Sequence, residues 1–181
     1  MKLLMLDRDG VINHDSEHFI KSPAEWKPIK GSIEAIARLS QAGWRIVVAT
    51  NQSGIARGLF DTSTLNAIHD AMHKAVTQAG GRIEAIFFCP HAADSKCECR
   101  KPQPGMLFEI ERRLNVPLPG VPFVGDSLKD LQAASAAGAR PVLVLTGKGR
   151  KTRDAGGMPE ETAVFEDLAA FAWHLLEPRT A

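Results

Sequence analysis

Two aspartates one residue apart stand at the end of the first apolar run of the chain. Residues 3–6 are too few for a helix and predict a strand buried on both faces, and Asp7, Asp9 and Gly10 follow at once. In an open α/β sheet, ligands bind beyond the carboxyl ends of the strands. The two carboxylates therefore lie where we expect chemistry.

Two further polar clusters and one lysine follow the same rule. Residues 50–53 (Thr-Asn-Gln-Ser) end a strand predicted over 45–50, and residues 126–130 follow a strand predicted over 121–124. Lys101 lies just ahead of a helix predicted over 106–114. Since the carboxyl ends of parallel strands meet at one edge of a sheet, the sequence predicts one pocket that contains carboxylates, a hydroxyl and an ammonium group.

Strands alternate with helices along the chain, which predicts right-handed βαβ units. We expect an α/β fold, a three-layer α/β/α sandwich with a parallel Rossmann-like sheet, as a single domain over residues 1–181 without a large cap domain. Ser32 is expected to cap the first helix, and residues 146–157 to form a basic, glycine-rich loop. His69 and His73 lie four residues apart on a predicted helix. Without a third ligand, we expect them on a solvated or interfacial face.

Converging carboxylates repel one another, so the predicted pocket requires a cation. All-oxygen ligands favour Mg²⁺, which typically binds one or two carboxylates together with a substrate phosphate. Asp7 could then attack phosphorus and form an aspartyl-phosphate, while Asp9 acts as the acid and then as the base for the hydrolytic water. The alternative for Asp-x-Asp-Gly is a calcium-binding or turn motif, but the glycine comes two residues too early for an EF-hand.

The three cysteines of the chain fall in one short segment, which indicates a metal site more than a disulfide framework. Cys89, His91, Cys97 and Cys99 supply three thiolates and an imidazole, a complete tetrahedral set for Zn²⁺. Four protein ligands leave no open position, so this zinc would be structural and would hold the loop over residues 89–99. The alternative is a loop that carries reduced cysteines.

Composition restricts the partners. A formal net charge of +1 provides no broad basic face, which disfavours nucleic acid. No apolar run approaches the roughly 20 residues that span a bilayer, and the N-terminus lacks the features of a signal peptide. We therefore expect a cytoplasmic protein without a membrane or nucleic-acid partner. Because no dimer surface is indicated, we expect a monomer.

Four motifs together resemble those of the haloacid-dehalogenase-like phosphohydrolases: residues 7–11 (Asp-Arg-Asp-Gly-Val), Thr50, Lys101 and residues 125–130 (Gly-Asp-Ser-Leu-Lys-Asp). Residues 50–58, 89–91 and 97–106 further resemble the D-glycero-D-manno-heptose-1,7-bisphosphate 7-phosphatases. The related histidinol-phosphate phosphatases share much of this pattern. The resemblance covers nearly the whole chain.

The resemblance implies a Mg²⁺-dependent phosphatase that removes the 7-phosphate of a heptose bisphosphate, a phosphorylated sugar, in the biosynthesis of lipopolysaccharide precursors. Asp7 would be the nucleophile and Asp9 the acid/base, while Thr50 and Lys101 would stabilise the transferring phosphoryl group. Asp7, the main-chain carbonyl of Asp9, and Asp126 would hold Mg²⁺. The residues implied in substrate binding are Asp15, His18, Asn51, Gln52, Ser53 and Arg100.

Other functions stay open. Histidinol-phosphate phosphatase shares the chemistry, but a second phosphate would make use of Arg100, whereas a cationic histidinol would not. A non-catalytic, zinc-stabilised binding module would have no use for two carboxylates beside a phosphate site, and a polynucleotide 3′-phosphatase would be expected to show a basic groove. The chain departs from some relatives in its shorter loop between the zinc-ligand pairs and in Ser127, where some heptose enzymes have lysine.

Overall fold

The apolar runs of the sequence become the strands of one parallel sheet. The computed structural model describes residues 2–177, in which the strands are β1 (Lys2–Leu6), β2 (Trp44–Asn51), β3 (Ala85–Cys89), β4 (Pro122–Gly125), β5 (Arg140–Val144) and β6 (Ala163–Phe165). The helices are α1 (Ser32–Gln41), α2 (Thr62–Gln78), α3 (Gly105–Leu114), α4 (Leu128–Ala136), α5 (Gly149–Ala155) and α6 (Leu168–Leu176). The strand order is β3-β2-β1-β4-β5-β6, and each neighbouring pair is parallel.

Both faces of the sheet are covered, because alternate residues of a strand point to opposite sides. Leu4 and Leu6 of β1 pack with apolar residues of α1, α2 and α6, whereas Leu3 and Met5 pack with those of α3 and α4. Burying side chains of this size contributes about 1.5–3 kcal/mol each. The predicted three-layer α/β/α sandwich with a parallel Rossmann-like sheet is confirmed.

The topology creates a crevice beside the central strand. β1 lies between β2 and β4, so the strand order reverses there, and ligands bind at such a switch point beyond the carboxyl ends of the strands. Asp7 follows β1 and Asp126 follows β4. The main-chain N–H of Asp7 donates to the carbonyl of Val124 at 2.8 Å, which joins the two strand ends.

No cap domain covers this crevice in the described part of the chain. The connection from β1 to α1 contains a short 3₁₀ turn, Pro23–Glu25, and the connection from β3 to α3 carries the cysteine segment. Among residues 2–177, no helix is long and apolar enough to cross a membrane.

Two local predictions are wrong. Ser32 is the first residue of α1 rather than its cap. Gly31 holds the cap position with a φ of +84°, and Ser32 Oγ donates to the carbonyl of Val11 at 2.9 Å. Residues 146–157, expected to form a loop, contain α5. Thr152 Oγ1 of this helix donates to the carbonyl of Asp126 at 2.8 Å and joins the helix to the residue after β4. Both features depend on partners far away in the sequence.

Candidate active site

Lys101 is the central positive charge of the crevice. Its Nζ lies 3.0 Å from Asp7 Oδ1 and 2.7 Å from Asp130 Oδ1, and it donates to the carbonyl of Ala49 at 2.8 Å. An ammonium has three N–H groups, so each has a partner. Burial would lower the pKa of Lys101, but Asp130 and Asp7 raise it above its ordinary range. The side chain is therefore charged, although it is only 2% exposed.

Asn51, at the end of β2, fixes the main chain of Lys101. Its Nδ2 donates to the Lys101 carbonyl at 3.0 Å, and its Oδ1 accepts from the Lys101 N–H at 3.1 Å. The sequence predicted Asn51 as a substrate ligand. It borders the cleft, but its amide is used to join β2 to the segment that carries the lysine.

Three carboxylates crowd around this lysine. Ligand oxygens of Asp7, Asp126 and Asp130 all lie within 4.8 Å of one another. Burial and then the charge of Asp130 raise the pKa of Asp7 well above its ordinary value, and the same two causes raise the pKa of Asp126 to about 7. One ammonium does not balance three carboxylates, so the donor set has the composition and the charge that suit Mg²⁺.

Asp130 is the partner of Lys101 rather than a free metal ligand. Its Oδ2 accepts from Ser127 N–H at 3.1 Å and from Ser127 Oγ at 2.7 Å, in a capping box that begins α4, while its Oδ1 contacts Lys101. Asp126 accepts from the N–H of Lys148 at 2.8 Å through Oδ2. Of the two carboxylates after β4, Asp126 thus keeps more free acceptor capacity for a cation.

Two glycines make room for the Asp126 carboxylate. A Cβ at Gly10 (φ +83°) or at Gly147 (φ +54°) would overlap Asp126 Oδ2. Thr146 Oγ1 also donates to the carbonyl of Gly10 at 2.6 Å, so the segment after β5 closes on the same carboxylate. Sequence reasoning assigned no function to this segment. The sequence did contain a signal for such a role, namely glycines shortly after a strand that ends at the active-site edge of the sheet.

Asp9 is held by a set of hydrogen-bond donors. Arg8 Nε donates to its Oδ1 at 2.9 Å, as does Asn13 Nδ2 at 2.9 Å, and Gln52 Nε2 donates to its Oδ2 at 3.0 Å. Burial raises the pKa of Asp9, but the charge and hydrogen bond of Arg8, with Asn13 and Gln52, lower it below its ordinary value. Without substrate, Asp9 is therefore a carboxylate.

The polar residues at the end of β2 and directly after it are largely buried. Thr50 is 1% exposed and its Oγ1 accepts from Gln52 Nε2 at 3.0 Å, which leaves the hydroxyl hydrogen for a ligand. The amide of Gln52 therefore joins Thr50 to Asp9. Ser53 is buried as well and borders the cleft.

The cleft has a volume of about 470 Å³ and includes most of the predicted residues. Asp15 and Arg100 line it, but His18 does not: its side chain is exposed, in a turn where Ser16 Oγ accepts from the His18 N–H at 3.1 Å. The structure therefore does not bring His18 to the site. Residues on the lining that sequence reasoning did not assign include Phe19, Arg57, Lys129 and Lys148.

Lys148 belongs to the rim of this cleft. Its Nζ lies 2.8 Å from Asp15 Oδ2, so an ion pair joins the segment after β1 to the segment after β5. Both side chains are partly solvated, and a pair of this kind contributes about 0–1 kcal/mol. A charged ligand could therefore separate the pair at little cost.

The cysteine segment forms a second cluster beside the cleft, with all three thiols free. Cys89 Sγ lies 3.7 Å from Cys97 Sγ and 3.2 Å from Cys99 Sγ, and His91 Nδ1 lies 3.5 Å from Cys89 Sγ and 3.3 Å from Cys99 Sγ. Tetrahedral zinc would separate two sulfurs by about 3.8 Å and a sulfur from a nitrogen by about 3.5 Å. The ligand atoms all lie within 4.8 Å of one another, so the four residues have the type and the proximity that Zn²⁺ needs, although the Cys89–Cys99 pair is closer than in a tetrahedral site.

This cluster is connected directly to the cleft. Arg100 Nη1 donates to the carbonyl of His91 at 3.2 Å, and the N–H of Gly105 donates to the carbonyl of Glu98 at 3.0 Å. The cluster is therefore joined to the segment that carries Arg100 and Lys101.

This sheet, with its acidic, hydroxyl and lysine groups at the switch point, defines a hydrolase of the haloacid-dehalogenase-like class, and the HAD-hydrolase-like family matches residues 98–171. Over 177 residues the chain is 64% identical to D-glycero-β-D-manno-heptose-1,7-bisphosphate 7-phosphatase of Bordetella bronchiseptica, with 98% of this chain and 99% of that one covered. Over 176 residues it is 56% identical to the enzyme of the same name from Pseudomonas putida, at 97% and 100% coverage.

Solved structures agree. The crystal structure of D,D-heptose 1,7-bisphosphate phosphatase from B. bronchiseptica, complexed with magnesium and phosphate, matches with a TM-score of 0.96 and 64% identity over 97% of this chain and 98% of that one. The phosphatase from Burkholderia thailandensis matches with a TM-score of 0.79 and 53% identity over 98% and 100%. The chain belongs to the D-glycero-β-D-manno-heptose-1,7-bisphosphate 7-phosphatase family. It is a phosphoric monoester hydrolase.

Proposed function

We propose that this chain is a Mg²⁺-dependent phosphatase that hydrolyses the 7-phosphate of D-glycero-β-D-manno-heptose 1,7-bisphosphate through an aspartyl-phosphate on Asp7. The observation that carries the chemistry is the contact of Asp7 Oδ1 with the buried Lys101 ammonium, 3.0 Å away at the switch point of the sheet. The substrate is supported by the name and the 64% identity of the Bordetella relative.

Asp7 supplies the nucleophile. Its Oδ1 accepts from the N–H of Arg8 at 2.7 Å and contacts Lys101. One carboxylate oxygen attacks phosphorus and the other would contact Mg²⁺. Thr50 Oγ donates to a phosphoryl oxygen, and Lys101 offsets the charge of Asp7 as the phosphate approaches. When bound by Asp7, Asp126 and the carbonyl of Asp9, Mg²⁺ supplies further charge neutralisation.

Asp9 moves the protons. It gives a proton to the sugar oxygen as the bond from phosphorus to that oxygen breaks, and it later takes a proton from the water that attacks the aspartyl-phosphate. Phosphate is released and the Asp7 carboxylate is restored. The lowered pKa of Asp9 suits the second step. For the first step, the negative charge of the bound phosphate raises that pKa.

The rim of the cleft supports a substrate with two phosphates. Arg100 is placed at the lining, and Lys129, Lys148 and Arg57 add positive charge around it. A guanidinium binds a phosphate with two parallel hydrogen bonds. This rim disfavours the cationic histidinol phosphate, the alternative left by the sequence. Asp15 would accept hydrogen bonds from sugar hydroxyls.

The test is a kcat/KM comparison of the β- and α-heptose bisphosphates, fructose 1,6-bisphosphate and histidinol phosphate. We expect the β-heptose bisphosphate to be the best substrate and Asp7→Asn to lower kcat on each of them by at least about a thousandfold. A kcat/KM that is higher for histidinol phosphate than for the β-heptose bisphosphate would overturn the proposed substrate. Near-normal rates in Asp7→Asn would overturn the covalent mechanism.

We further propose that the Cys89, His91, Cys97 and Cys99 cluster holds a structural zinc ion within one catalytic domain, and that the protein acts as a cytoplasmic monomer. The support for zinc is the set of three thiols and one imidazole whose ligand atoms lie within 4.8 Å of one another. Metal analysis and light scattering on the purified full chain would test zinc and mass in one preparation.

A further inference from the structure

A buried histidine that the mechanism above does not use lies behind the active site. His69 of α2 is 6% exposed, and its Nε2 lies 3.2 Å from an Nη1 of Arg8, which is fully buried. The ring of Phe88 lies beside it, with 6.4 Å between ring centroids. The pair therefore links α2 to the residue between the two catalytic aspartates.

The chemistry of the contact fixes the direction of its hydrogen bond. An arginine guanidinium is always protonated and has no acceptor, so Arg8 donates and His69 Nε2 accepts. His69 is therefore neutral, with its proton on Nδ1. Burial, and then the charge of Arg8, lower the pKa of His69 to about 3, in agreement with a neutral ring.

The other edge of the same guanidinium holds Asp9. Arg8 Nε donates to Asp9 Oδ1 at 2.9 Å and Arg8 Nη2 donates to Asp9 Oδ2 at 3.2 Å. This two-bond arrangement sets the plane of the carboxylate relative to the guanidinium. The bond from Nη1 to His69 fixes the guanidinium in turn, so a rigid series of contacts runs from α2 to Asp9.

We propose that His69 is a positioning residue for proton transfer: by accepting from Arg8, it holds the guanidinium that aims the Asp9 carboxylate at the leaving oxygen of the substrate. The inference rests on the proposed function in that it takes Asp9 as the acid and base. A histidine that only fills space in the core would act through stability alone, and the two cases have different kinetic signatures.

The choice of leaving group distinguishes a positioning role of His69 from a role in packing alone. A sugar alkoxide needs a proton as it departs, whereas 4-nitrophenolate departs without one. Misalignment of the acid should therefore slow the transfer of phosphate from a sugar phosphate and spare transfer from 4-nitrophenyl phosphate. Loss of packing would slow both alike.

The experiment measures leaving-group release from the sugar phosphate and from 4-nitrophenyl phosphate in single-turnover rapid quench, with Mg²⁺ present. His69→Leu removes the acceptor, and His69→Gln restores one. Met72→Ala, at a fully buried position of the same helix, is the control for destabilisation. We expect His69→Leu to lower the sugar phosphate rate by about tenfold or more and the nitrophenyl rate by less than about threefold. His69→Gln should recover most of the loss, and Met72→Ala should lower the melting temperature without leaving-group dependence.

Equal losses on the two substrates, or a His69→Gln rate no better than that of His69→Leu, would overturn the positioning role. If His69→Leu fails to fold, His69→Phe removes the acceptor and keeps a ring. Asp9→Asn separates this inference from the proposed function. A leaving-group effect in Asp9→Asn that is missing in the His69 variants overturns the inference alone. If Asp9→Asn itself shows no leaving-group effect, the acid role of Asp9 in the proposed function is overturned as well.

Discussion

Two clusters of metal-ligating side chains lie side by side in this protein, and they are built differently. The carboxylate site (Asp7, Lys101, Asp126 and Asp130) collects residues that follow β1 and β4, precede α3 and lie in the first turn of α4. The cysteine cluster (Cys89, His91, Cys97 and Cys99) lies within one segment between β3 and α3. The first is positioned by the sheet, whereas the second depends on local chain geometry.

The carboxylate site has its own internal compensation. Lys101 touches two of its carboxylates, and Asp130 is bonded to both Lys101 and Ser127. Contacts within the protein therefore position these side chains, and a bound cation would mainly neutralise their remaining negative charge. Such a site leaves ligand positions for substrate, which is what catalysis needs.

The cysteine cluster has little such support. Cys89 is buried at the end of β3, but His91 is exposed and Cys97 and Cys99 are partly exposed. Three thiolates near one another repel unless a cation joins them, and a closed tetrahedral set offers no position for substrate. The comparison indicates that loss of a cation would affect the reaction at one site and the conformation at the other.

The largest effect is expected where the two regions meet, at Lys101. Lys101→Met leaves Asp7 and Asp130 buried without their partner, so we expect activity to fall by at least about a thousandfold and the free energy of unfolding to fall by about 3–5 kcal/mol. Steady-state kinetics and urea unfolding measure the two losses. The exposed Lys129→Met is the control, with a stability change within about 0.5 kcal/mol. If Lys101→Met were as stable as the wild-type protein, Lys101 would not be compensating the charge of Asp7 and Asp130.

The next effect tests the cysteine cluster. Cys97→Ser should lower the zinc content from about one ion per chain and reduce kcat/KM by about tenfold, because the position of Arg100 and Lys101 depends on the loop. Hydrogen exchange should rise over residues 89–99 while β1 and β4 keep their protection. Ser95→Ala, which removes only a 3.1 Å contact to Cys97 Sγ, should keep the zinc. Wild-type protein that contains no zinc when reduced would refute the site.

The sequence was sufficient to predict the sheet and its active edge. Residues 3–6 and 121–124 are short apolar runs with acids directly behind them, and the rule that places ligands beyond strand ends needs only this local information. The cysteine cluster was predictable for the same reason, because its four ligands are close in the sequence.

The contacts that were not predicted join distant residues. His69 was expected on a solvated or interfacial face; it is buried where α2 contacts Arg8, a partner that the sequence did not indicate. Residues 126–130 and Lys101 were expected in one pocket, but the direct ion pair between Asp130 and Lys101 was not predicted. The helical form of residues 149–155 depends likewise on contacts with Asp126. No periodicity in a single sequence carries this information.

An effect confined to one class of substrate separates substrate binding from the reaction. If Arg100 binds a second phosphate, Arg100→Ala should lower kcat/KM for a sugar bisphosphate by about 10–100-fold, the value of a charged hydrogen bond, and that for the corresponding monophosphate by less than about threefold. Arg112→Ala, an exposed arginine that pairs with Glu109 on α3, is the control and should change neither. Equal losses on both substrates would remove Arg100 from substrate selection.

The smallest effect tests whether the contacts that position the carboxylate site form whether or not a cation is bound. The pKa of His69 is lowered to about 3 in the folded protein, against about 6.5 when unfolded. The unfolded chain therefore binds a proton that the folded chain does not, so the stability from this group is complete above pH 6.5 and is lost as the pH falls toward 3. Between pH 7 and 5.5 the loss is about 1 kcal/mol.

Since a glutamine cannot titrate, His69→Gln should lose that part of the pH dependence, whereas His73→Gln, one turn along the same helix, should keep it. Urea unfolding at pH 7 and 5.5, with Mg²⁺ and with a chelator, measures the difference. The contact of His69 with Arg8 is made by the fold, so the difference between the two variants should be the same in both conditions. A difference that appears only with Mg²⁺ would mean that the cation, and not the packing of α2 on β1, holds Asp7 and Asp9 in place.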